Sequence, residues 1–238
     1  IKFAVDLVDA DIDNLENAII KSKDSDSIIE FATKVKDANI KKLEDAIVSK
    51  EVRYMVKFAS QVKGADIVRL QKIVACTGDI AAINDFLKKV PNADLLKIQE
   101  YVIKSGDAHA MVGVAAQIQG ADITKLQKAV IDSGNGVEIM QFAKFVNGAD
   151  IELLQNAIIK SEEALAMGYF IVYVKNADIA RLQEAIMRSR NVKALKWLIK
   201  NAKNVDVKKL KLTLEKVEAE SKLKNFENEQ KNSILTTV

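Results

Sequence analysis

One short phrase recurs along this chain of 238 residues, and its spacing constrains the fold more than any other feature. It reads Ala10-Asp11-Ile12, Ala38-Asn39-Ile40, Ala65-Asp66-Ile67, Ala93-Asp94-Leu95, Ala121-Asp122-Ile123, Ala149-Asp150-Ile151, Ala177-Asp178-Ile179 and Val205-Asp206-Val207. Successive copies stand 28 residues apart, with one step of 27 between Ile40 and Ile67. A unit of this size cannot bury its own apolar face, so neighbouring units must share a core. The spacing predicts an all-α fold, an α-solenoid of stacked two-helix hairpins with a 28-residue repeat.

Each unit can be numbered from the residue after the Asp or Asn. The preceding Asp11, Asn39, Asp66, Asp94, Asp122, Asp150, Asp178 and Asp206 are then structural caps, because a short side-chain oxygen accepts the free N–H groups of a helix's first turn. Position 4 holds Leu15, Leu43, Leu70, Ile98, Leu126, Leu154, Leu182 and Leu210, and it shares a helical face with positions 1, 5 and 8. A break follows, as Thr77-Gly78-Asp79, Ser105-Gly106-Asp107, Ser133-Gly134-Asn135 and Ser189-Arg190-Asn191. Gly closes the first helix and Asp or Asn opens the second. The short repeat loses its residue here, between Ser49 and Val52.

The second helix carries apolar residues at positions 17, 20, 21 and 24. Position 20 is Phe3, Phe31, Phe58, Phe86, Phe142, Phe170 and Phe226, with Val114 and Leu198 as exceptions. Position 26 is Gly64, Gly120 or Gly148, or else Asn92, Asn176 or Asn204, which suits a helix end at positive φ. Pro91 helps to stop its helix.

These signals divide the chain into a half-repeat over 1–11, seven helical hairpins over 12–206, a C-terminal capping helix over 207–230 and a flexible tail over 231–238. The sequence opens on Ile1 rather than Met, which suggests a fragment or a processed product.

The wording resembles helical-repeat segments of uncharacterised bacterial and phage proteins, in which Ser-Gly-Asp, Phe-Ala and Gly-Ala-Asp-Ile recur in the same order. Ser133-Gly134, Phe142-Ala143 and Gly148-Ala149-Asp150-Ile151 carry that resemblance. It implies an α-solenoid and no activity. The architecture is more distantly similar to tetratricopeptide and HEAT-type stacks, which serve as binding scaffolds; that comparison is one of fold alone.

Little in the chain suggests chemistry. His109 is the single histidine and reads as a surface or half-buried residue. Cys76 is the single cysteine, at the end of a first helix, and reads as a buried or neutral thiol. One His and one Cys cannot build a usual zinc site, and no phosphate-binding glycine loop is present. The recurrent Asp series reads as capping rather than as a ladder of cation ligands. Position 5 holds Glu16, Glu44, Gln71, Gln99, Gln127, Gln155, Gln183 and then Lys211. Repeated amides in register predict bonds to the backbone of the neighbouring inter-repeat turn. No catalytic residue, cofactor or metal is assigned.

Positions that vary are where a repeat protein meets its partner. At positions 19, 22 and 23 the early repeats are polar: Glu30, Thr33 and Lys34, then Lys57, Ser60 and Gln61, then Asp85, Lys88 and Lys89. Later repeats turn aromatic, and Phe145, Tyr169, Tyr173 and Trp197, with Lys200 beside them, are the candidate partner-binding residues. The competing reading is that neighbouring helices cover these rings.

Net charge is +3, too small for a strong field toward nucleic acid. From Lys193 onward, however, eleven Lys face six acidic residues, so a nucleic-acid-binding solenoid with Lys-rich faces is the alternative. A repeat region of a larger protein, with its catalytic domain elsewhere, is another. No apolar run approaches the roughly 20 residues of a membrane span, and no signal-peptide pattern opens the chain. The sequence therefore predicts a non-enzymatic scaffold for protein–protein interaction, self-association included, with no membrane partner and a cytoplasmic location favoured.

Overall fold

The structure, a computed structural model, describes residues 11–235, without the side chains of 226, 227 and 229–235. Ile1 to Ala10 of the expected half-repeat, residues 236–238 of the expected tail, Phe3 and the side chain of Phe226 lie outside the described residues.

The described chain is all-helical, with regular helix spacing and no strand. The helices are α1 (Ile12–Ser22), α2 (Ser25–Lys34), α3 (Ile40–Ile47), α4 (Val52–Gln61), α5 (Ile67–Cys76), α6 (Ile80–Lys89), α7 (Leu95–Ser105), α8 (Ala108–Gln117), α9 (Ile123–Asp132), α10 (Gly136–Phe145), α11 (Ile151–Lys160), α12 (Ala164–Tyr173), α13 (Ile179–Ser189), α14 (Val192–Asn201) and α15 (Val207–Leu235). Every odd-numbered helix begins on the residue that follows the recurrent Asp or Asn.

The chain falls into two compact units, Ile1–Asp122 and Ile123–Val238. In the first, α2, α4, α6 and α8 pack successively side by side, α1 lies on α3 and α5 on α7, and each odd helix also packs on the even helix after it. In the second, α9, α11 and α13 form one row and α10, α12 and α14 the other, with α15 packed on α14. This is a helical repeat-like arrangement.

Between the rows lies the core. Position 4 is fully buried from Leu43 onward in the first unit and at Leu126, Leu154, Leu182 and Leu210 in the second. The aromatic rung is buried at Phe31, Phe58 and Phe86, and again at Phe142 and Phe170, each worth about 1.5–3 kcal/mol over an exposed ring. Val114 and Leu198 occupy the same rung and are equally buried.

Two side-chain series recur along the chain, and the second joins consecutive repeats. In the first, the recurrent cap works as its composition implies: the Asp11, Asn39, Asp66, Asp94, Asp150, Asp178 and Asp206 side chains accept the N–H of Asn14, Lys42, Arg69, Lys97, Leu153, Arg181 and Lys209. In the second, the position 5 oxygen accepts the backbone N–H of the cap residue that opens the next repeat. Glu16 takes Asn39 at 2.5 Å, Glu44 takes Asp66 at 2.8 Å, Gln71 takes Asp94 at 2.8 Å and Gln99 takes Asp122 at 3.0 Å. Gln127, Gln155 and Gln183 do the same for Asp150, Asp178 and Asp206 at 2.8, 2.7 and 2.7 Å. These polar side chains sit at 7% exposure or less on the apolar face, so an unbonded oxygen there would be costly. The bonds predicted for position 5 are present.

The break between helices is a compound device. A left-handed residue closes the first helix at Lys23, Gly78, Gly106, Gly134, Glu162 and Arg190. Just before it, a hydroxyl donates back to a helix carbonyl and accepts the N–H of the next cap. Thr77 Oγ1 donates to the Val74 carbonyl at 2.7 Å and accepts from Asp79 at 3.2 Å; Ser105 does likewise with Val102 and Asp107. In the short repeat no residue between Ile47 and Val52 takes positive φ, and Glu51, at φ −61°, already holds the cap place before α4. The residue missing from that repeat is thus the left-handed one, and α3 ends after eight residues.

Two expectations need correction. Asp37, Gly64, Asn92, Gly120, Gly148 and Asn176 take positive φ at the end of a repeat, whereas Asn204 does not. Helix α15 runs to Leu235 rather than Gln230, so part of the expected tail is helical. Nothing between Gln230 and Leu235 is Gly or Pro, and no break sequence halts the helix.

Candidate protein-docking surface

All five candidate partner-binding residues lie on even helices of the second unit: Phe145 on α10, Tyr169 and Tyr173 on α12, Trp197 and Lys200 on α14. The row exists because these residues hold positions 19, 22 and 23, on the side of the helix away from the buried positions 17, 20 and 24.

The structure separates the five by role. Trp197 and Tyr169 are half-buried and meet edge to face, with ring centroids 4.7 Å apart at 89°. Trp197 also lies across Gly168, where an added Cβ would stand 3.2 Å from its ring. This half of the row is local packing. Phe145 and Tyr173 remain 52% and 49% exposed, high for aromatic side chains. Tyr169 links the halves, its centroid 6.3 Å from that of Tyr173. Lys200 is exposed on the last turn of α14.

A further residue belongs to the row. The Lys144 ammonium lies 4.6 Å from the ring centroid of Phe145 and 4.6 Å from that of Tyr173, bridging α10 and α12 through two cation–π contacts. The sequence carried the signal: Lys144 precedes Phe145 and sits one repeat behind Val172-Tyr173. Singling out aromatics alone passed it over.

In the first unit the corresponding face is different. A groove of about 670 Å³ there is lined in part by Asp26, Tyr54, Lys57, Asp85 and Lys89. Two ion pairs line it, Lys57 with Asp26 and Lys89 with Asp85, the latter at 2.7 Å. Lys34 and Glu30 pair on α2 at 2.7 Å. Neither Lys144 nor Lys200 makes an ion pair among the described residues.

Two cations of the C-terminal region are paired with carboxylates of α15. Lys196 on α14 pairs with Glu218 on α15 at 2.7 Å, and Arg190 pairs with Glu220. The Lys196 hydrogen bond holds the Glu218 carboxyl below the usual range, and the Arg190 hydrogen bond does the same to Glu220. Arg190 is correspondingly raised by Glu220.

Cys76 is exposed, which corrects the buried one of its two expected readings. Its place in the repeat, position 10, is filled elsewhere by Lys21, Lys104, Lys160 and Arg188, so this side of the first helix faces solvent. His109 is exposed on α8. Among the described residues no three His, Cys, Asp or Glu side chains gather as a metal site. No described helix is long and apolar enough to cross a membrane. Comparison with protein-family models, curated proteins and solved structures gives no significant match.

Proposed function

We propose that this chain is a non-catalytic scaffold of the α-solenoid kind, built on the 28-residue repeat, which docks a protein partner on the even-helix face of its second unit. One observation carries the reading. Phe145 and Tyr173 stand about half exposed on adjacent helices with an ammonium between them, where the first unit has paired charges. Aromatic rings of this kind supply large contact area at low entropic cost and are enriched at interaction hot spots. The recurrent Asp, Gln, Ser and Phe residues are already engaged in joining or filling the repeats, so the varying positions are left for recognition.

A nucleic-acid role has weaker support, because Lys196 and Arg190 are engaged by Glu218 and Glu220. A catalytic domain elsewhere in a longer protein would leave the docking role unchanged.

The test is a Phe145→Ser/Tyr173→Ser double variant. Proteins captured by the wild-type chain are identified, and each is then titrated in purified form against both chains, with sedimentation to detect self-association. Binding lost at unchanged thermal stability supports the reading. Binding retained by the double variant rejects it.

A further inference from the structure

Three residues hold position 22 on the successive packed helices α10, α12 and α14 of the second unit: Lys144, Val172 and Lys200. The pattern is cation, apolar, cation. Helix α12 has no charged residue along Ala164–Tyr173, and every charged residue of α14 is a lysine. Adjacent packed helices lie about 8–10 Å apart, so two steps separate the cationic positions by about 16–20 Å. An extended peptide advances about 3.3 Å per residue and covers that span in five or six residues.

We infer that the docked segment is an extended acidic peptide whose two carboxylates, five or six residues apart, flank an apolar side chain. Lys144 and Lys200 take the carboxylates, and the surface of Phe145, Val172 and Tyr173 takes the apolar residue. The assignment rests on the docking role proposed above and adds the chemistry of the partner. Lys144 is already held in place by two rings, and its three N–H donors have no carboxylate among the described residues. A peptide is favoured over single-stranded nucleic acid because bases need open ring faces on which to stack. Here an ammonium lies over Phe145 and Tyr173, while Tyr169 and Trp197 are engaged with each other edge to face.

A random dodecapeptide display library panned on the full chain tests this, with each enriched peptide then titrated against the wild-type chain and the Phe145→Ser/Tyr173→Ser variant. Enriched peptides should carry Asp or Glu at a separation of five or six around an apolar residue. Lys144→Gln and Lys200→Gln should each weaken a selected peptide about tenfold, and both should fold, since each lysine is an exposed surface residue. Enrichment of neutral or basic peptides, or affinity indifferent to both lysines, would overturn the acidic partner. If those same peptides still required Phe145 and Tyr173, the docking role would stand without it. Peptides indifferent to the aromatic pair as well would remove both. An oligothymidylate that binds in a Lys144- and Lys200-dependent way, with no peptide selected, would replace the peptide by nucleic acid.

Discussion

The side-chain oxygen of Gln127 accepts the backbone N–H of Asp150 at 2.8 Å, and the third residue of the helix that follows is Leu153. In the first two repeats that third residue is a cation beside a carboxylate. Lys42 Nζ lies 3.3 Å from Glu16, and Arg69 Nη1 lies 3.1 Å from Glu44. A buried carboxylate at position 5 is therefore tolerated where the next repeat supplies the counter-charge. Gln155 precedes a repeat whose third residue is Arg181, whereas Gln127 precedes Leu153. We expect Gln127→Glu to destabilise the chain by about 1–3 kcal/mol more than Gln155→Glu. Urea unfolding at neutral pH measures the difference, and equal losses would refute the pairing rule.

Removing the acceptor outright is a separate matter. Gln155→Met keeps the volume but leaves the Asp178 N–H without its partner, at an expected cost of about 1–3 kcal/mol. The same substitution at Lys211, which holds position 5 of the last repeat and is exposed, should fall within about 0.5 kcal/mol. A comparable loss at both positions would show that the bond is not the cause.

Gly136 opens α10 and gives its N–H to the Glu163 carboxylate of the next repeat at 2.9 Å. A Cβ on Gly136 would stand 2.9 Å from Glu163 Cδ, 2.9 Å from Ser161 Oγ and 3.0 Å from Glu163 Cβ. Gly136→Ala should therefore destabilise by about 1–3 kcal/mol even though alanine is the better helix former. Thermal unfolding that rises on this substitution would overturn the cross-repeat contact.

The aromatic row should divide under mutation. Trp197→Ser removes a half-buried ring packed on Tyr169 and Gly168 and is expected to cost about 2 kcal/mol. Tyr173→Ser removes a half-exposed ring and is expected to cost less than about 1 kcal/mol. Paired denaturation curves decide, and a larger loss at Tyr173 would mean that its ring belongs to the fold.

The α15 tether responds to acid. Glu218 and Glu220 titrate below the ordinary value of about 4.3 because their cationic partners favour the charged form. A lowered folded pKa contributes stability that is complete above the unfolded value and is lost as pH falls through the folded one. A Glu218→Gln/Glu220→Gln variant should thus be slightly less stable than wild type at pH 7, with the gap closing below about pH 4. The exposed pairs should also weaken with salt. A gap that persists at pH 2 would rule out the charge pairs as its source.

Much of this was legible in the sequence because the repeat samples each position many times. Seven copies each of Leu and Asp, and five of Gln, at fixed places name a core residue, a cap and an inter-repeat acceptor. Legibility ends where a residue acts through a neighbour in space. The Ser105 hydroxyl, which serves two backbone groups at once, looks like an ordinary turn residue. Glu163 stands where other repeats place a capping Asp or Asn, yet it bonds back to Gly136 rather than capping its own helix. Lys144 was hidden because its contacts join position 22 of one repeat to position 23 of the next. The end of α15 is not legible because a polar segment without Gly or Pro carries no signal that separates helix from solvated tail.

The position 5 bonds all run in one direction, acceptor first and donor one repeat later. Such a series could in principle continue indefinitely, with the final repeat of one molecule receiving the first of another. Its last acceptor, Gln183, is spent on Asp206, and the next residue in register is Lys211. An ammonium has three donors and no lone pair to offer, so an incoming backbone N–H would find no partner there. Lys211 therefore offers no oxygen with which to continue the series of bonds that joins the earlier repeats.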